Sequence, residues 1–471
     1  MPGEFQVNGQ NAAALFTLKL HRGDGMTLVA MNWKDGTPSN DFVGFAIEYK
    51  EPGGNKFFAL INRLSFLGAD GKVDPNRLST IRSPIQKFRW VHFPRNAELA
   101  GEFTYRVTPV FMNEKDELSY GDAQEAAIEL RRETYPGQLN VTFTRGFVSS
   151  QAFVDRYESV APISTLLPKT ADEGLTFMPT HPKANEALAW MGFEARHAIL
   201  EVLDRAIADK NAQVRVVAYD LSEPDVVARL QKLGGRLKII IDDSADHGDP
   251  HSGETQAAAR LSASAGKKNV TRQHMGKLQH NKTIVVDGPT VKAVVCGSTN
   301  FTWRGFFVQS NNAIILQGKS AVKPFLAAFE NYWNNGTPVT FGKTDSAKWT
   351  NLGLSGIKAT VAFSPHVTSN ALLESIAHDI GKKTTSNLFY SLAFLYQTDG
   401  PLRDAIKKIT EDKKVFVYGI SDRKVGGIDL QKPNGNVAPV YPAALAKTSL
   451  SHSNRNLWEA EASACTTNLW S

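Results

Sequence analysis

The chain has 471 residues, of which 42% are hydrophobic and 21% are charged, and a formal net charge of +6. This balance is typical of a folded globular protein and argues against a disordered one, and the length predicts about three domains. The two cysteines do not support a disulfide framework or a cysteine-rich metal site, and a pI of about 9.0 favours an anionic partner.

Residues 1–145 are predicted to form an all-β sandwich. Apolar runs with alternating polarity are separated by turn residues, and they lie at 26–33, 42–49 and 103–111. Trp33 closes an early strand, and Tyr105 lies in a late one. This arrangement resembles a fibronectin type III domain. The resemblance implies a binding or spacing module, since no catalytic pattern stands out here.

Residues 146–180 contain two proline-bearing stretches, and we expect a linker or an ordered arm that packs on the next domain. From residue 181 the pattern changes to alternating helices and strands. Helices are predicted at 193–209 and 223–235, and strands at 214–219 and 237–242. This alternation indicates βαβ units and a sheet that helices cover.

The same order of elements recurs further along the chain. Helices are predicted at 370–383 and 400–412, and strands at 388–395 and 415–422. The recurrence indicates an internal duplication, although the identity between the copies is low. We therefore divide the α/β region into a first lobe, residues 181–345, and a second lobe, residues 346–471.

The densest motif lies in the first lobe. His280, Lys282 and Asp287 follow the pattern His-x-Lys-x4-Asp, and after nine intervening residues the chain continues as Gly297-Ser298-x-Asn300. Two apolar runs on either side of an Asp-Gly-Pro turn predict a β-hairpin. On its strands, residues two apart share a face, which pairs His280 with Lys282 and Ser298 with Asn300.

These side chains suit a phosphate group. An unprotonated imidazole can attack phosphorus, and an ammonium, a hydroxyl and an amide can bind the non-bridging oxygens. Because Lys282 supplies positive charge, neither a metal nor a cofactor is required. The sequence therefore predicts a phosphodiester-cleaving half-site.

The motif resembles the signature of the phospholipase D superfamily, and the resemblance extends from about residue 181 to about residue 430. It implies two such motifs, one per lobe, that meet between the lobes. His280 would form a covalent phosphohistidine, and a second histidine would protonate the leaving oxygen and then activate water or an alcohol. Lys282, Ser298 and Asn300 would bind phosphate, and Asp287 would have mainly an orienting or structural part.

The second motif is not intact. In the tail, His452 is followed by Asn454 and Glu459 where the pattern needs lysine and aspartate, and no Gly-Ser-x-Asn follows. Three accounts stay open: a degenerate half-site, an acid/base role for His452 with altered helpers, or a C-terminus lost through a frameshift or truncation. The abrupt loss of pattern after residue 422 favours the third. The second lobe is thus incomplete.

Three further groups surround the motif. An Asp and His cluster after the strand at 237–242 (Asp242, Asp243, Asp246, His247, Asp249 and His251) is read as a polar loop rather than a metal site, and the segment 243–270 as a long loop over the pocket. A basic group (Lys267, Lys268, Arg272, His274 and Lys277) either guides an anionic substrate or forms a solvated edge. Trp303, Phe306 and Phe307 are expected to pack in the core.

We expect a phosphodiesterase of the phospholipase D type that acts on a phospholipid or a nucleic acid through His280. The alternatives are a nuclease of the same superfamily and a non-catalytic module that binds phosphate esters or partners. A monomer is favoured, because the second lobe would occupy the surface that another copy needs. No secretory signal and no apolar run of ~20 residues is seen, so we expect a cytoplasmic protein without a membrane span.

Overall fold

In the computed structural model, the described residues run from 5 to 440. Positions outside the description within that range are 24, 63, 67–70, 72, 73, 75, 76, 95, 98, 100, 131, 132, 147–152, 335, 369, 394, 396–398, 413, 423–427 and 432–436. The chain divides into two compact units, Met1–Thr142 and Phe143–Ser471.

The first unit consists mostly of antiparallel β-strands. Its strands are β1 (Gln6–Asn8), β2 (Phe16–Gly23), β3 (Met26–Trp33), β4 (Phe42–Lys50), β5 (Phe58–Ala59), β6 (Arg89–His92), β7 (Glu102–Met112), β8 (Leu118–Tyr120) and β9 (Gln124–Glu129). One sheet has the order β1-β2-β3-β6, and the other has the order β5-β4-β7-β8 with β9 also paired to β7. A further strand, β10 (Leu139–Phe143), crosses the boundary between the units.

Apolar residues at alternate positions of both sheets form one shared core. Phe16 and Phe45, one from each sheet, have ring centroids 4.9 Å apart. Tyr105 is fully buried, and its hydroxyl lies 2.9 Å from Nδ1 of His92. Trp33 packs at the margin of this core. The prediction of a mainly β N-terminal region is confirmed, while the likeness to fibronectin type III stays a prediction.

The second unit is built around a mixed sheet. Its strands are β11 (Gln213–Ala218), β12 (Leu237–Ile241), β13 (Val270–Arg272), β14 (Lys282–Asp287), β15 (Lys292–Gly297) and β16 (Asn312–Gln317), and they lie in the order β16-β15-β14-β11-β12-β13. β11, β12 and β13 are parallel, and β14, β15 and β16 are antiparallel to their neighbours. The predicted hairpin is the β14–β15 pair.

Helices cover the sheet on both faces. Alternate residues such as Val214 and Val216 share a core with the helix Ala184–Ala208. Val217, which follows Val216 and lies on the other face, is also buried but lies outside that core. The helix Lys319–Asn334 packs against β11, β14, β15 and β16, so it covers this other face. Other helices are Pro224–Leu233, Gly253–Ala265, Trp303–Phe307 and Pro338–Gly342.

The segment before the first helix contributes to the same core. Phe153, Tyr157 and Leu166 are fully buried among the side chains of the helix Ala184–Ala208. The expected aromatic packing after the motif is also present, because Trp303, Phe306 and Phe307 belong to this core. The indole of Trp303 donates to the carbonyl of Gly174 over 2.8 Å, which ties the segment to the motif's flank.

The two helices and two strands predicted after residue 345 are present. The helices are Ala371–Lys383 and Pro401–Thr410, and the strands are β19 (Asn387–Leu392) and β20 (Phe416–Asp422). The described residues also contain strands that were not predicted, namely β17 (Thr350–Asn351), β18 (Thr360–Val361), β21 (Ile428–Gln431) and β22 (Val437–Val440). β19 and β20 are parallel, as β11 and β12 are. The duplication of whole lobes stays a proposal.

One prediction about the first lobe is wrong. The segment 243–270 is not a long loop, because it contains the helix Gly253–Ala265. Ser252 caps that helix by accepting from the backbone N–H of Thr255 at 3.1 Å. Alanines and one leucine of the helix enter the core, which explains its packing against the sheet. Among the described residues, no helix is long and apolar enough to cross a membrane.

Candidate active site

His280, Lys282 and the Gly297–Asn300 segment of the motif lie at one edge of the main sheet. The parallel strands β11 and β12 end there at Ala218 and Ile241, and Lys282 at the start of β14 lies opposite Ala218. β15 ends at the same edge with Gly297, which pairs with Ala313. Ligands of open α/β sheets bind at the carboxyl ends of parallel strands. The register therefore brings the segments 219–222, 242–244, 279–281 and 298–300 to a position where a substrate can reach them.

His280 and Lys282 lie next to each other, with Tyr219 beside both. The ring centroids of His280 and Tyr219 are 4.4 Å apart in an edge-to-face arrangement. Lys282 Nζ donates to the carbonyl of His280 over 3.0 Å and lies 4.7 Å from the centre of the Tyr219 ring. The prediction that both motif residues are part of a strand is corrected, because β14 begins at Lys282 and His280 precedes it.

The surroundings favour the uncharged form of both residues. His280 keeps solvent-exposed surface, yet the protein atoms packed around its ring and the neighbouring ammonium of Lys282 lower its pKa to about 4. Lys282 is only 6% exposed, and this burial lowers its pKa to about 7, although Asp220 and Asp242 oppose the shift. At neutral pH, His280 is thus an unprotonated imidazole, as a nucleophile needs.

Ser298 and Asn300, which follow β15, differ in exposure and in hydrogen bonding. The strand ends at Gly297, so Ser298 and Asn300 lie beyond it rather than on one strand face. The exposed Ser298 hydroxyl donates to Asn311 Oδ1 over 3.1 Å and accepts from the backbone N–H of Asn312 over 3.0 Å. Oδ1 of Asn300 is buried and has no hydrogen-bond partner among the described residues, so Asn300 offers a free polar group.

Gly297 is required where the motif places it. Its φ is +133°, and a Cβ on this residue would lie 2.6 Å from the carbonyl oxygen of Asn312. The glycine therefore allows β15 to approach the backbone of Asn312 closely.

Asp287 is not brought to the site. It lies at the far end of β14, where it pairs with Gln213 and Lys292 in the two neighbouring strands. Its carboxylate forms an ion pair with the ammonium of Lys292. It lies five positions along the strand from Lys282, which corresponds to about 17 Å. Its contacts are those of a residue that orients the hairpin.

The structure adds a charged cluster that the motif did not indicate. His247 Nε2 lies 2.9 Å from Asp220 Oδ1, and His247 Nδ1 lies 3.9 Å from Asp242 Oδ1. The rings of His247 and Tyr219 are 4.5 Å apart. Burial alone would lower the pKa of His247, but the two carboxylates outweigh it and raise the pKa to about 10. His247 is therefore an imidazolium at neutral pH.

Sequence reasoning missed Tyr219 and Asp220, although a signal for them exists. Both follow directly after the buried strand β11, as Asp242 follows β12. Polar residues at the carboxyl ends of parallel strands converge at one edge, so this position alone could have selected them.

The cluster also has the spacing of a cation site. Ligand atoms of Asp220, His247 and Glu254 lie within 4.8 Å of one another. In the structure these groups bind other partners: His247 Nε2 lies 2.9 Å from Asp220 Oδ1, and Glu254 accepts from the backbone N–H of Leu221 over 2.9 Å.

The predicted basic group divides into two parts. Arg272 faces inward, and its guanidinium donates to the carbonyls of Asp242 and His247 over 2.8 and 2.6 Å. His274 pairs with Asp243 at 2.8 Å. The side chains of Lys267, Lys268, His274 and Lys277 are exposed. His452, with Asn454 and Glu459, lies outside the described residues.

Comparison with known proteins agrees with this location. A family model described as the PLD-like domain of cardiolipin synthase matches residues 201–333. No curated protein sequence matches the chain.

Several solved structures share similarity with the chain. A phospholipase D family member, Nuc from Salmonella typhimurium, is 27% identical over 30% of this chain and 88% of its own, with a TM-score of 0.24. NucT from Helicobacter pylori is 12% identical over 31% of this chain and 92% of its own, with a TM-score of 0.25. Phosphatidylserine synthase from Haemophilus influenzae is 14% identical over 50% of this chain and 61% of its own, with a TM-score of 0.35. The family match covers the motif and its sheet, and residues 201–333 therefore form a phospholipase D-like domain.

Proposed function

We propose that the chain is a phosphodiesterase of the phospholipase D type with His280 as its nucleophile. The observation that carries the proposal is the position of His280 beside Lys282 at the carboxyl edge of the sheet, where the surrounding atoms lower the pKa of the imidazole. A ring nitrogen attacks phosphorus, the bond to the leaving alcohol oxygen breaks, and phosphohistidine forms. Water then attacks this intermediate, which releases the phosphomonoester and restores the imidazole.

The groups proposed to bind the phosphate oxygens come from the same motif. The ammonium of Lys282 offsets the charge of the non-bridging oxygens, and Ser298 and Asn300 provide a hydroxyl and an amide. The leaving oxygen needs a proton from a second group, which is the part proposed for His452. The substrate is proposed to be a phospholipid or a nucleic acid; hydrolysis of the latter would make the chain a nuclease.

The test uses a generic diester, bis(4-nitrophenyl) phosphate, with no metal added. Wild type should release nitrophenol, and His280→Ala should reduce the rate to background, because no other group replaces the nucleophile. His251→Gln is the matched control, since His251 is an exposed histidine of the same domain outside the motif. Equal background rates for wild type and His280→Ala would contradict the proposal.

The rival function is a non-catalytic module that binds phosphate esters. The observation that favours it is the tail, where Asn454 stands in the place of the motif's lysine. A module of this kind would bind a phosphate ester equally well before and after His280→Ala and would release no nitrophenol. Acid-sensitive phosphorylation of wild type, seen as an intact-mass increase after a rapid quench, would instead identify the enzyme.

A further inference from the structure

The first observation concerns the ring of Tyr219, which lies between two histidines. The centroid of this ring is 4.4 Å from that of His280 and 4.5 Å from that of His247. It is also 4.7 Å from the ammonium of Lys282. Any displacement of the His247 ring therefore changes what supports the tyrosine, and the tyrosine is the direct neighbour of both motif residues.

His247 is held in place at its backbone and at its ring. Its carbonyl accepts from Arg272 Nη2 at 2.6 Å and from Ser252 Oγ at 2.8 Å. Its ring lies between the carboxylates of Asp220 and Asp242, at 2.9 and 3.9 Å. These contacts hold both the backbone and the ring of His247 in one position.

Asp242 connects this histidine to the nucleophile along a second route. Its side chain is fully buried, and its oxygens accept from the backbone N–H of Gln279, the residue before His280, at 3.4 Å. The hydroxyl of Ser244 donates to the same carboxylate over 2.8 Å. One carboxylate thus contacts both His247 and the chain that positions His280.

The charges around these rings determine how His247 changes the protonation of His280. The charged or titratable groups that act on His247, on His280 or on their neighbours Tyr219 and Arg272 are Asp220, Asp242, Asp243, Asp246, Glu254 and Lys282. Asp220 and Asp242 favour a protonated His280, whereas the positive charge of His247 opposes them. Without that charge, two nearby carboxylates would act on the nucleophile with less compensation.

We propose that His247 is a positioning residue for the nucleophile: through Tyr219, Asp220 and Asp242 it braces the His280 ring and offsets the negative charge beside it. This inference rests on the proposed function of His280. His247 itself touches neither His280 nor, by this proposal, the substrate.

The test compares His247→Gln, which removes the charge, with His247→Lys, which keeps it. The two imidazole rings lie within about 9 Å of each other, so the lost charge should raise the pKa of His280 by about one unit. On the acidic limb of kcat/KM for bis(4-nitrophenyl) phosphate, His247→Gln should then be about tenfold slower, with little change at pH 8. His247→Lys and the control His251→Gln should keep the wild-type limb.

A second measurement does not need turnover. An NMR titration of the His280 imidazole gives its pKa directly in each variant, and His280→Ala assigns the signal. Asp220→Asn provides the opposite perturbation, because removal of a carboxylate should leave the pKa of His280 equal or lower, never higher. This variant also keeps the proposal testable if His247→Gln does not fold.

The outcomes separate the inference from the function. Active wild type, inactive His280→Ala and an unmoved His280 pKa in His247→Gln would overturn the positioning role and leave the proposed function intact. An inactive wild type with the expected pKa shift would support the electrostatic coupling and count against the enzyme. A pKa that shifts equally in His247→Gln and His247→Lys would overturn the inference, because charge would not be the cause.

Discussion

Replacing Lys282 by methionine should change activity and stability in opposite directions. The ammonium is 6% exposed, and burial lowers its pKa from 10.5 to about 7. Methionine keeps an unbranched apolar side chain without the charge. Lys282→Met should lower kcat/KM for bis(4-nitrophenyl) phosphate by about 10²-fold to 10³-fold, as loss of one preorganised donor to a developing charge does.

The same pKa sets the alkaline limb of the wild type. Lys282 is charged below about pH 7 and loses its proton above it. The kcat/KM of the free enzyme should therefore fall about tenfold per pH unit above that point. With the acidic limb of His280 near pH 4, the profile should be a bell between these two values. In Lys282→Met the alkaline limb should be gone.

The stability effect follows from the lowered pKa. Between about pH 7 and 10.5 the unfolded chain binds more protons at this lysine than the folded one, so the free energy of unfolding rises with pH there. The penalty of the buried charge is complete below pH 7. At about 1.4 kcal/mol per pKa unit, its upper value is roughly 5 kcal/mol. Lys282→Met should thus raise the melting temperature by several degrees at pH 6.

The assays are calorimetry at pH 6 and pH 9 and initial rates from pH 5 to pH 9. Lys267→Met is the control, because Lys267 is exposed and should change neither quantity beyond error. A lower melting temperature for Lys282→Met at pH 6, together with a wild-type kcat/KM that stays flat from pH 6 to pH 9, would refute the reasoning about burial and charge.

Two further predictions concern the hairpin. Asp287→Asn should leave kcat/KM within about twofold of wild type and cost at most about 1 kcal/mol of stability, because its ion pair with Lys292 is exposed and far from the site; a rate loss of tenfold or more would give Asp287 a part in the chemistry. Gly297→Ala should lower the free energy of unfolding by about a few kcal/mol, seen as a lower midpoint of chemical denaturation, since the new Cβ would clash with the Asn312 carbonyl at a positive φ. Gly235→Ala, where the added Cβ meets nothing within 4 Å, should be close to neutral, and equal midpoints for the two variants would contradict the steric argument.

The local elements of the α/β region could be predicted from the residues. Periodicity of 3.6 placed the helix at 223–235 within a few residues of Pro224–Leu233, and apolar runs placed the strands beside it. The segment 243–270 was misjudged because alanine and serine make a weak apolar stripe, and the helix there is stabilised by its cap and its packing on the sheet.

The candidate site could likewise be predicted from the sequence only in part. The residue types of the motif at 280–300, on which the proposed nucleophile and phosphate-binding groups rest, can be recognised in the chain alone. The separation of Asp287 from the other motif residues depends on which end of a strand faces the site, which only the register of β11, β14 and β15 decides.

The sequence by itself determined the chemistry that the first lobe offers, because spacing along a strand and residue type are local properties. Only the tertiary structure determined which side chains surround His280. Tyr219, Asp220, Asp242 and His247 come from separate strands and a connecting segment, and they meet because parallel strands end at one edge. The protonation states at that edge depend on burial and distance between charges, and neither is encoded in the spacing of one motif.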